Sequence, residues 1–315
     1  MGLSVAERGV ALRVRPRGGR ILGVMLHPPW LMEQVASLAG QRRRRTPRFL
    51  RGKPWRRLRR EWYQRRYRYP LRNILVVSLP KSGSTWVVRM LAETAGYMAW
   101  NPPNIKWHNH DLILGTLEPP PAGYTVTKTH TPPTEANLGV VRALDRPYIV
   151  TIRDLRDVCV SWSYYARNRA SGPAYAHLAG ATIAQAMDYF IEQMLPGYRD
   201  WSLGWWRERD PARGALFRYE DILADTAGCV SRAFAHLGLP AEPATIAAIV
   251  EKHSFQRATG RKPGEEDAGS FNRKGVAGDW RNHFSKAQEA AFMAVAGGAM
   301  NELGYSGAHT AAGQR

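Results

Sequence analysis

The chain has 315 residues, of which 44% are hydrophobic, enough for one large α/β domain or two smaller ones around a real core. Two cysteines, Cys159 and Cys229, exclude a disulfide framework and lack metal-ligand spacing, so a reducing, cytoplasmic setting fits. The formal net charge of +19 is uneven: residues 1–72 hold 20 Lys+Arg against 3 Asp+Glu, residues 73–315 hold 25 against 23, and the basicity therefore belongs to an N-terminal extension.

Residues 1–20 scatter Arg and Gly without periodicity. The apolar run at 21–26 is too short for a signal-peptide core and is broken by Pro28 and Pro29, and no stretch reaches the length of a membrane span. Residues 42–72 hold fifteen Lys+Arg and one acid, Glu61, interleaved with Trp55, Trp62, Tyr63, Tyr67 and Tyr69. Such a basic aromatic stretch suits an anionic membrane surface or a polyanion, and equally a solvated arm that packs an aromatic or two on the domain. An Arg-rich, acid-poor start also resembles an organelle transit peptide. No feature points to a specific nucleic acid.

From Asn73 the pattern alternates strands and helices. The segment NILVVSLPKSGSTWVVRML (residues 73–91) reads as an apolar strand, a tight loop and a helix. Helix N-termini carry unpaired N–H groups and the positive end of the dipole, so the loop reads as a phosphate-binding loop, with Lys81 adding full charge, Gly83 allowing close approach, and Ser84 and Thr85 offering hydroxyls. It is not the nucleoside-triphosphate loop, in which Lys follows the second Gly. Residues 100–123 read as irregular, with a short helix near 111–117. Strands are predicted at 124–128, 147–153 and 215–219. Helices are predicted after Asp154, which is placed to cap one, and at 182–195, 221–237, 243–253 and 286–303. Residues 256–284 read as a Gly-rich polar loop. This alternation predicts an α/β fold: a single domain over residues 73–305 with a parallel sheet of four to five strands flanked by helices, followed by a flexible tail, 306–315. Ligands then bind at the carboxyl ends of the strands.

Each chemically interesting group sits at such an end. Lys128 and His130 leave the second long strand on one face if it continues through them. A neutral His can take a proton from a hydroxyl, and a neighbouring Lys can hold developing charge. Arg153, with Ser161 two turns into the next helix, suits a second phosphate. Asp154, Arg156 and Asp157 read equally well as a helix start with surface charges. Arg273 and Lys274 before Gly275 suit a loop that closes over an anion.

Five segments together, PKSGSTW (80–86), TKTH (127–130), IRDLRDVCVSWSYY (152–165), RYED (218–221) and RKGVAGDWRNHF (273–284), resemble the sulfotransferases that use 3′-phosphoadenosine 5′-phosphosulfate (PAPS), in the same order and at similar spacing. The resemblance covers residues 73–305 and leaves the arm outside. It implies PAPS as the sulfuryl donor, no metal, and transfer to a hydroxyl of a small-molecule, lipid or carbohydrate acceptor. It implies His130 as base, Lys128 on the transferring group and Lys81 on the bridging oxygen. It implies Ser82, Gly83, Ser84 and Thr85 at the 5′-phosphate, and Trp86, Tyr219 and Phe255 at the adenine. Arg153, Ser161, Arg273, Lys274 and Gly275 would hold the 3′-phosphate. Two alternatives stand beside it: a Mg-dependent kinase, against which no Asp pair at a strand end argues, and a non-enzymatic polyanion or membrane-surface binder built on the arm.

The chain departs from the family pattern in two places. His253 stands before Ser254 and Phe255 where many cytosolic members have Thr, which puts adenine contacts there in question. Lys286 and Ala290 stand where a dimerisation pattern has Val and Glu, which leaves the oligomeric state open. The aromatics Trp162, Tyr164 and Tyr165 point to an apolar or ring-bearing acceptor. The expected setting is cytoplasmic, with a membrane-peripheral contact through residues 42–72.

Overall fold

The computed structural model describes residues 61–63, 65–102, 110–112, 117, 123–169 and 174–305, all within one compact unit, Arg59–Arg315. At its centre is a parallel five-stranded sheet of order β2-β3-β1-β4-β5. The strands are β1 (Asn73–Ser78), β2 (Tyr97–Ala99), β3 (Tyr124–Thr129), β4 (Tyr148–Ile152) and β5 (Gly214–Arg218). In register, Val76 and Val77 lie opposite Lys128 and Thr129 on one side and Ile149 and Val150 on the other.

Every residue of β1 is buried, because helices cover both faces, and this is why NILVVS reads as a nearly continuous apolar run. On one face Leu75, Val77, Val150 and Ile152 pack under α3 (Leu155–Asn168), α5 (Ile183–Tyr189), α6 (Leu195–Glu208) and α11 (Lys286–Glu302), with Trp201, Trp205 and Phe292 filling the layer. On the other, Ile74, Val76, Val126 and Ile149 meet α1 (Ser84–Leu91), α7 (Tyr219–Ala224), α8 (Thr226–His236) and α9 (Pro243–Lys252). The polar Asn73 is tolerated at full burial because its amide bridges the Thr125 and Thr127 hydroxyls of β3, at 2.8 and 2.7 Å. Both cysteines are free and buried.

The elements differ from the sequence reading where local signals were weak. The edge strand β2 is three residues long and carries no apolar run. The helix α2 (Glu135–Leu144) is an addition, started by Thr134, whose hydroxyl accepts Asn137 N–H. The predicted 182–195 helix begins with a capping box of Thr182 and Gln185, then passes through a π-turn, Phe190–Met194, and continues as α6. Pro196 does not stop it: it falls in the first turn of α6, directly after the π-turn. The predicted 221–237 helix is two helices, because Asp225 leaves helical geometry and caps α8 by accepting Gly228 N–H at 2.8 Å. The 256–284 loop contains α10 (Phe255–Thr259) and a 3₁₀ turn, Asp279–Asn282. The short α4 (Tyr175–Leu178) completes the set. The helix predicted near 111–117 and the tail 306–315 lie largely or wholly outside the described residues.

Segments at both ends of the described domain are tied to this frame. Tyr67 stacks on Tyr69 with centroids 5.6 Å apart, and Tyr69 meets Tyr97 and Tyr124 at 5.3 and 5.0 Å. The Tyr97 hydroxyl donates to the Leu71 carbonyl, and that of Tyr124 to the Tyr67 carbonyl. At the other end, Tyr305 donates to Glu220, and its carbonyl accepts Arg156.

The topology positions the site. From β1 the chain turns to one side for β2 and β3, then crosses to β4 and β5 on the other. Such a reversal opens a crevice at the carboxyl ends of the central strands. Into it run Lys81 after β1, Lys128 and His130 from β3, Arg153 after β4 and Tyr219 after β5.

Candidate active site

The loop after β1 is held from beneath. Ser82 is fully buried, and its hydroxyl joins the Leu79 carbonyl at 2.6 Å and the hydroxyls of Thr151 and Ser78 at 3.0 and 3.1 Å. Its N–H donates to Leu79 as well. Ser82 therefore shapes the loop from within. Gly83 caps α1 at φ 81°, and no side chain caps that helix end, so its first N–H groups face the crevice. A Cβ at Gly83 would stand 2.8 Å from the Tyr219 ring, so glycine serves both the left-handed backbone and the close ring. Ser84 is buried, and the Thr85 hydroxyl accepts from Lys128 Nζ at 3.3 Å, which brings the β3 lysine onto the loop.

Lys81 also has a left-handed backbone, φ 69°. Its ammonium lies between the rings of Tyr165 and Phe271, 4.4 and 4.5 Å from their centroids. Burial, followed by the charges of Arg153, Lys128 and Arg273, pushes its pKa down to about 7.

His130 follows the last residue of β3, so the strand stops short of it, but the ring enters the crevice all the same. Its Nδ1 lies 2.6 Å from the Ser78 carbonyl. A carbonyl cannot donate, so Nδ1 carries the proton and Nε2 keeps its lone pair. Burial, then the nearby charges of Lys128, His110 and Lys81, lower its pKa to about 4 against the raising effect of the Ser78 bond. The imidazole is neutral at pH 7. His110 stands edge-on to it, with centroids 5.2 Å apart.

Arg153 stacks on Tyr219 at 4.1 Å and donates to the carbonyls of Lys81 and Val276, at 3.2 and 3.1 Å. It thereby links the β1 loop to the late loop. Its Nε is buried without a hydrogen-bond partner. Asp154, Arg156 and Asp157 are not surface charges: all three are buried. Asp154 caps α3 and pairs with Arg156 at 2.7 Å, and Asp157 accepts the N–H groups of Gly278 and Trp280, at 2.6 and 3.0 Å, pinning the late loop to α3. Gly275, φ 68°, lies against Phe255: a Cβ there would be 2.4 Å from the ring. Trp86 Nε1 donates to the carbonyl of His253 at 2.9 Å, while the His253 ring turns to Glu93 at 2.9 Å.

A cavity of about 210 Å³ is lined by Lys81, Ser161, Tyr165, Phe271 and Arg273, among others. Arg273 lines it already ion-paired to Asp279 at 2.5 Å, and the adjacent Lys274 pairs with the same carboxylate at 2.6 Å. Trp162, read from the sequence as an acceptor aromatic, is instead core, stacked on Tyr189 and tilted on Phe190. Sequence reasoning missed Arg261, which donates to the carbonyls of Asn272 and Arg273 at 2.6 Å each, and Glu266. The loop that holds them has no periodicity to mark them. Asp279 lies within the segment RKGVAGDWRNHF, where nothing in the sequence marks it as the partner of Arg273 and Lys274.

These residues fit a nucleotide with two anionic ends. Gly83 leaves a cradle that a side chain would fill, Arg153 has an unpaired buried donor, and Lys81 and Arg273 line one cavity. Among the described residues no cluster of His, Cys, Asp and Glu could hold a metal ion. No described helix is long and apolar enough to cross a membrane.

Fold and site together define a P-loop-like α/β group-transfer enzyme. The sulfotransferase domain family matches residues 71–304. Human sulfotransferase 1C2 is 24% identical over 242 residues, covering 70% of this chain and 80% of the relative. Mouse sulfotransferase 2B1 is 25% identical over 249 residues, covering 71% and 70%. Among solved structures, mouse sulfotransferase SULT7A1 complexed with PAP superposes with a TM-score of 0.59 at 22% identity, over 75% of this chain and 89% of that one. Retinol dehydratase in complex with androsterone and inactive cofactor PAP gives 0.51 at 20% identity, over 76% and 85%. The chain belongs to the sulfotransferase family, whose reaction is PAPS-dependent sulfuryl transfer.

Proposed function

We propose that His130 is the general base of this sulfotransferase and that the acceptor is a hydroxyl-bearing molecule with an apolar or ring body. The observation that carries the assignment is the 2.6 Å contact of His130 Nδ1 with the Ser78 carbonyl, which leaves an unprotonated Nε2 beside two lysines. Bound PAPS supplies the sulfuryl group and a good leaving group. The chain's own residues do the rest. Nε2 takes the acceptor's proton, and Lys128 and Lys81 hold negative charge on the transferring group and on the departing side. The N-terminus of α1, with Gly83, Ser84 and Thr85, receives the 5′-phosphate. Ser82 contributes the loop's shape. Tyr219, Trp86 and Phe255 frame the base, and Arg153, Ser161, Arg273, Lys274 and Gly275 receive the 3′-phosphate. Retinol dehydratase, similar in fold, has been crystallised with androsterone and with retinol, and Tyr165 and Phe271 give this crevice aromatic walls. That supports a ring or isoprenoid alcohol. Replacing His130 by Ala is expected to lower turnover by about 10²–10⁴-fold while binding of 3′-phosphoadenosine 5′-phosphate, the PAP of the related structures, survives. Full turnover in His130→Ala across phenol, sterol and sugar acceptors would sink the assignment.

The basic arm is assigned a peripheral contact with an anionic lipid surface. What supports this is the junction at residues 61–72: its tyrosines are stacked on the sheet edge, while Arg65, Arg66, Arg68 and Arg72 are exposed.

A further inference from the structure

Arg273 and Lys274, assigned to the donor's 3′-phosphate, face two carboxylates of different character. Asp279 is 1% exposed and accepts from Arg273, Lys274, Asn282 and His283, so it is a fixed part of the loop. Glu266 is 31% exposed and lies on the irregular stretch between α10 and the 3₁₀ turn. Its Oε1 accepts from Arg273 Nη1 at 2.9 Å, its Oε2 lies 3.9 Å from Lys274 Nζ, and it accepts the Tyr164 hydroxyl. The Arg273 guanidinium stacks on that same Tyr164 ring at 4.6 Å.

We propose that Glu266 is a specificity-determining residue of the donor site. Its carboxylate occupies the Nη1 edge of Arg273 that a 3′-phosphate would take, and so sets how strongly the enzyme favours nucleotides carrying that phosphate. This rests on the 3′-phosphate seat proposed above. The argument is one of charge and exposure. Asp279 and Glu266 balance Arg273 and Lys274, and Asp157 lies 3.6 Å from the seat's third cation, Arg153, so a phosphate dianion meets a largely neutralised seat. Displacing Glu266 frees one positive charge and the N–H groups of Arg273 Nη1 for charge-assisted hydrogen bonds. A partly exposed ion pair is weak enough for a phosphate to displace. A buried carboxylate with four donors is not, so Asp279 stays and keeps Arg273 aimed. Partial burial would raise the Glu266 pKa, but bonds from Arg273 and Tyr164 and the charge of Lys274 outweigh it and hold the carboxyl below its ordinary value. Glu266 therefore competes as an anion throughout neutral pH.

The test is calorimetric titration of the full chain with two probes, 3′-phosphoadenosine 5′-phosphate and adenosine 5′-phosphate, which lacks the 3′-phosphate. Glu266→Gln is expected to tighten the first by about fivefold, the scale of one partly exposed ion pair, and to leave the second unchanged. Tyr164→Phe, which keeps the ring under Arg273 and removes the hydroxyl on Glu266, should shift the first in the same direction by less. The inference is overturned if Glu266→Gln leaves the 3′-phosphorylated probe unchanged or weaker, or tightens both probes equally. If the wild-type chain does not prefer the 3′-phosphorylated probe at all, the seat itself is wrong and the inference falls with it. A wild-type preference that Glu266→Gln does not alter sinks Glu266 alone.

Discussion

Lys81 carries the site's main chemical tension. A charged lysine is needed where negative charge collects, yet burial and three neighbouring cations bring its pKa down to about 7. The unfolded chain holds that proton up to roughly 10.4. The folded value is the lower one, so protonated Lys81 destabilises the fold. The penalty is complete below about 7 and fades as pH rises toward the unfolded value. Lys81→Met should therefore raise the melting temperature at pH 6, with the gain shrinking at alkaline pH, while turnover collapses. An anionic ligand beside Lys81 reverses the balance and favours the ammonium. At pH 8, binding of 3′-phosphoadenosine 5′-phosphate should take up protons, measurable as a dependence of the calorimetric heat on buffer ionisation enthalpy. Lys81→Met should abolish that uptake, and uptake that persists in the variant would assign it to another group. Lys81, Lys128, His130 and Arg153 were legible because each lies at the end of a strand or just after one, and so at the sheet's carboxyl edge. Trp162 differs because aromatics a residue or two apart in a helix look alike in sequence, and the buried face of α3 decides that this one is core. The paired state of Arg273 was not legible, since Glu266 lies seven residues away across an aperiodic loop.

At the scale of elements, the site depends on how the late loop is clipped to the helices around it. Asp157 of α3 holds Gly278 and Trp280, Arg153 holds Val276, and Phe255 at the head of α10 packs against Gly275. Gly275→Ala meets two obstacles at once, a left-handed φ of 68° and a Cβ 2.4 Å from the Phe255 ring. It should lower stability by roughly 1–3 kcal/mol and weaken 3′-phosphoadenosine 5′-phosphate binding, because the ring and the adjacent Lys274 must shift. Thermal melting and calorimetry check both, and a variant unchanged in both would show that the clip does not matter. Long periodic helices such as α9 and α11 were read within a residue of their observed ends, since hydrophobic spacing and a capping serine or proline mark them. The split at Asp225 and the π-turn at Phe190–Met194 were not visible in advance. There the core sets the chain's path: Phe190 is fully buried in it, and Ile222 just before the split is nearly so.

For the whole molecule, the partition of charge sets the arm apart from the catalytic domain, and the lipid-surface role proposed for the arm predicts that the two can be separated. Residues 73–315 carry 25 basic and 23 acidic side chains, while residues 1–72 carry 20 and 3. The junction is not spare chain: Tyr63, Tyr67 and Tyr69 stack in series against Tyr97 and Tyr124, at the start of the second and third strands. A cut that respects this packing removes residues 1–58 and leaves the compact unit intact. The shortened chain should keep its melting temperature, its binding of 3′-phosphoadenosine 5′-phosphate and its turnover on a water-soluble phenol. The full chain should sediment with vesicles containing about one-third phosphatidylserine and not with pure phosphatidylcholine. Its binding should fall steeply as salt rises from about 0.05 to 0.3 M, because each arginine near the surface contributes on the order of 1 kcal/mol through a screened field. The shortened chain, keeping Arg65, Arg66, Arg68 and Arg72, should retain a weak remnant of that binding. Equal sedimentation of the two forms, or binding indifferent to salt, would remove the lipid-surface role from the arm and leave its charge to be explained by another polyanion.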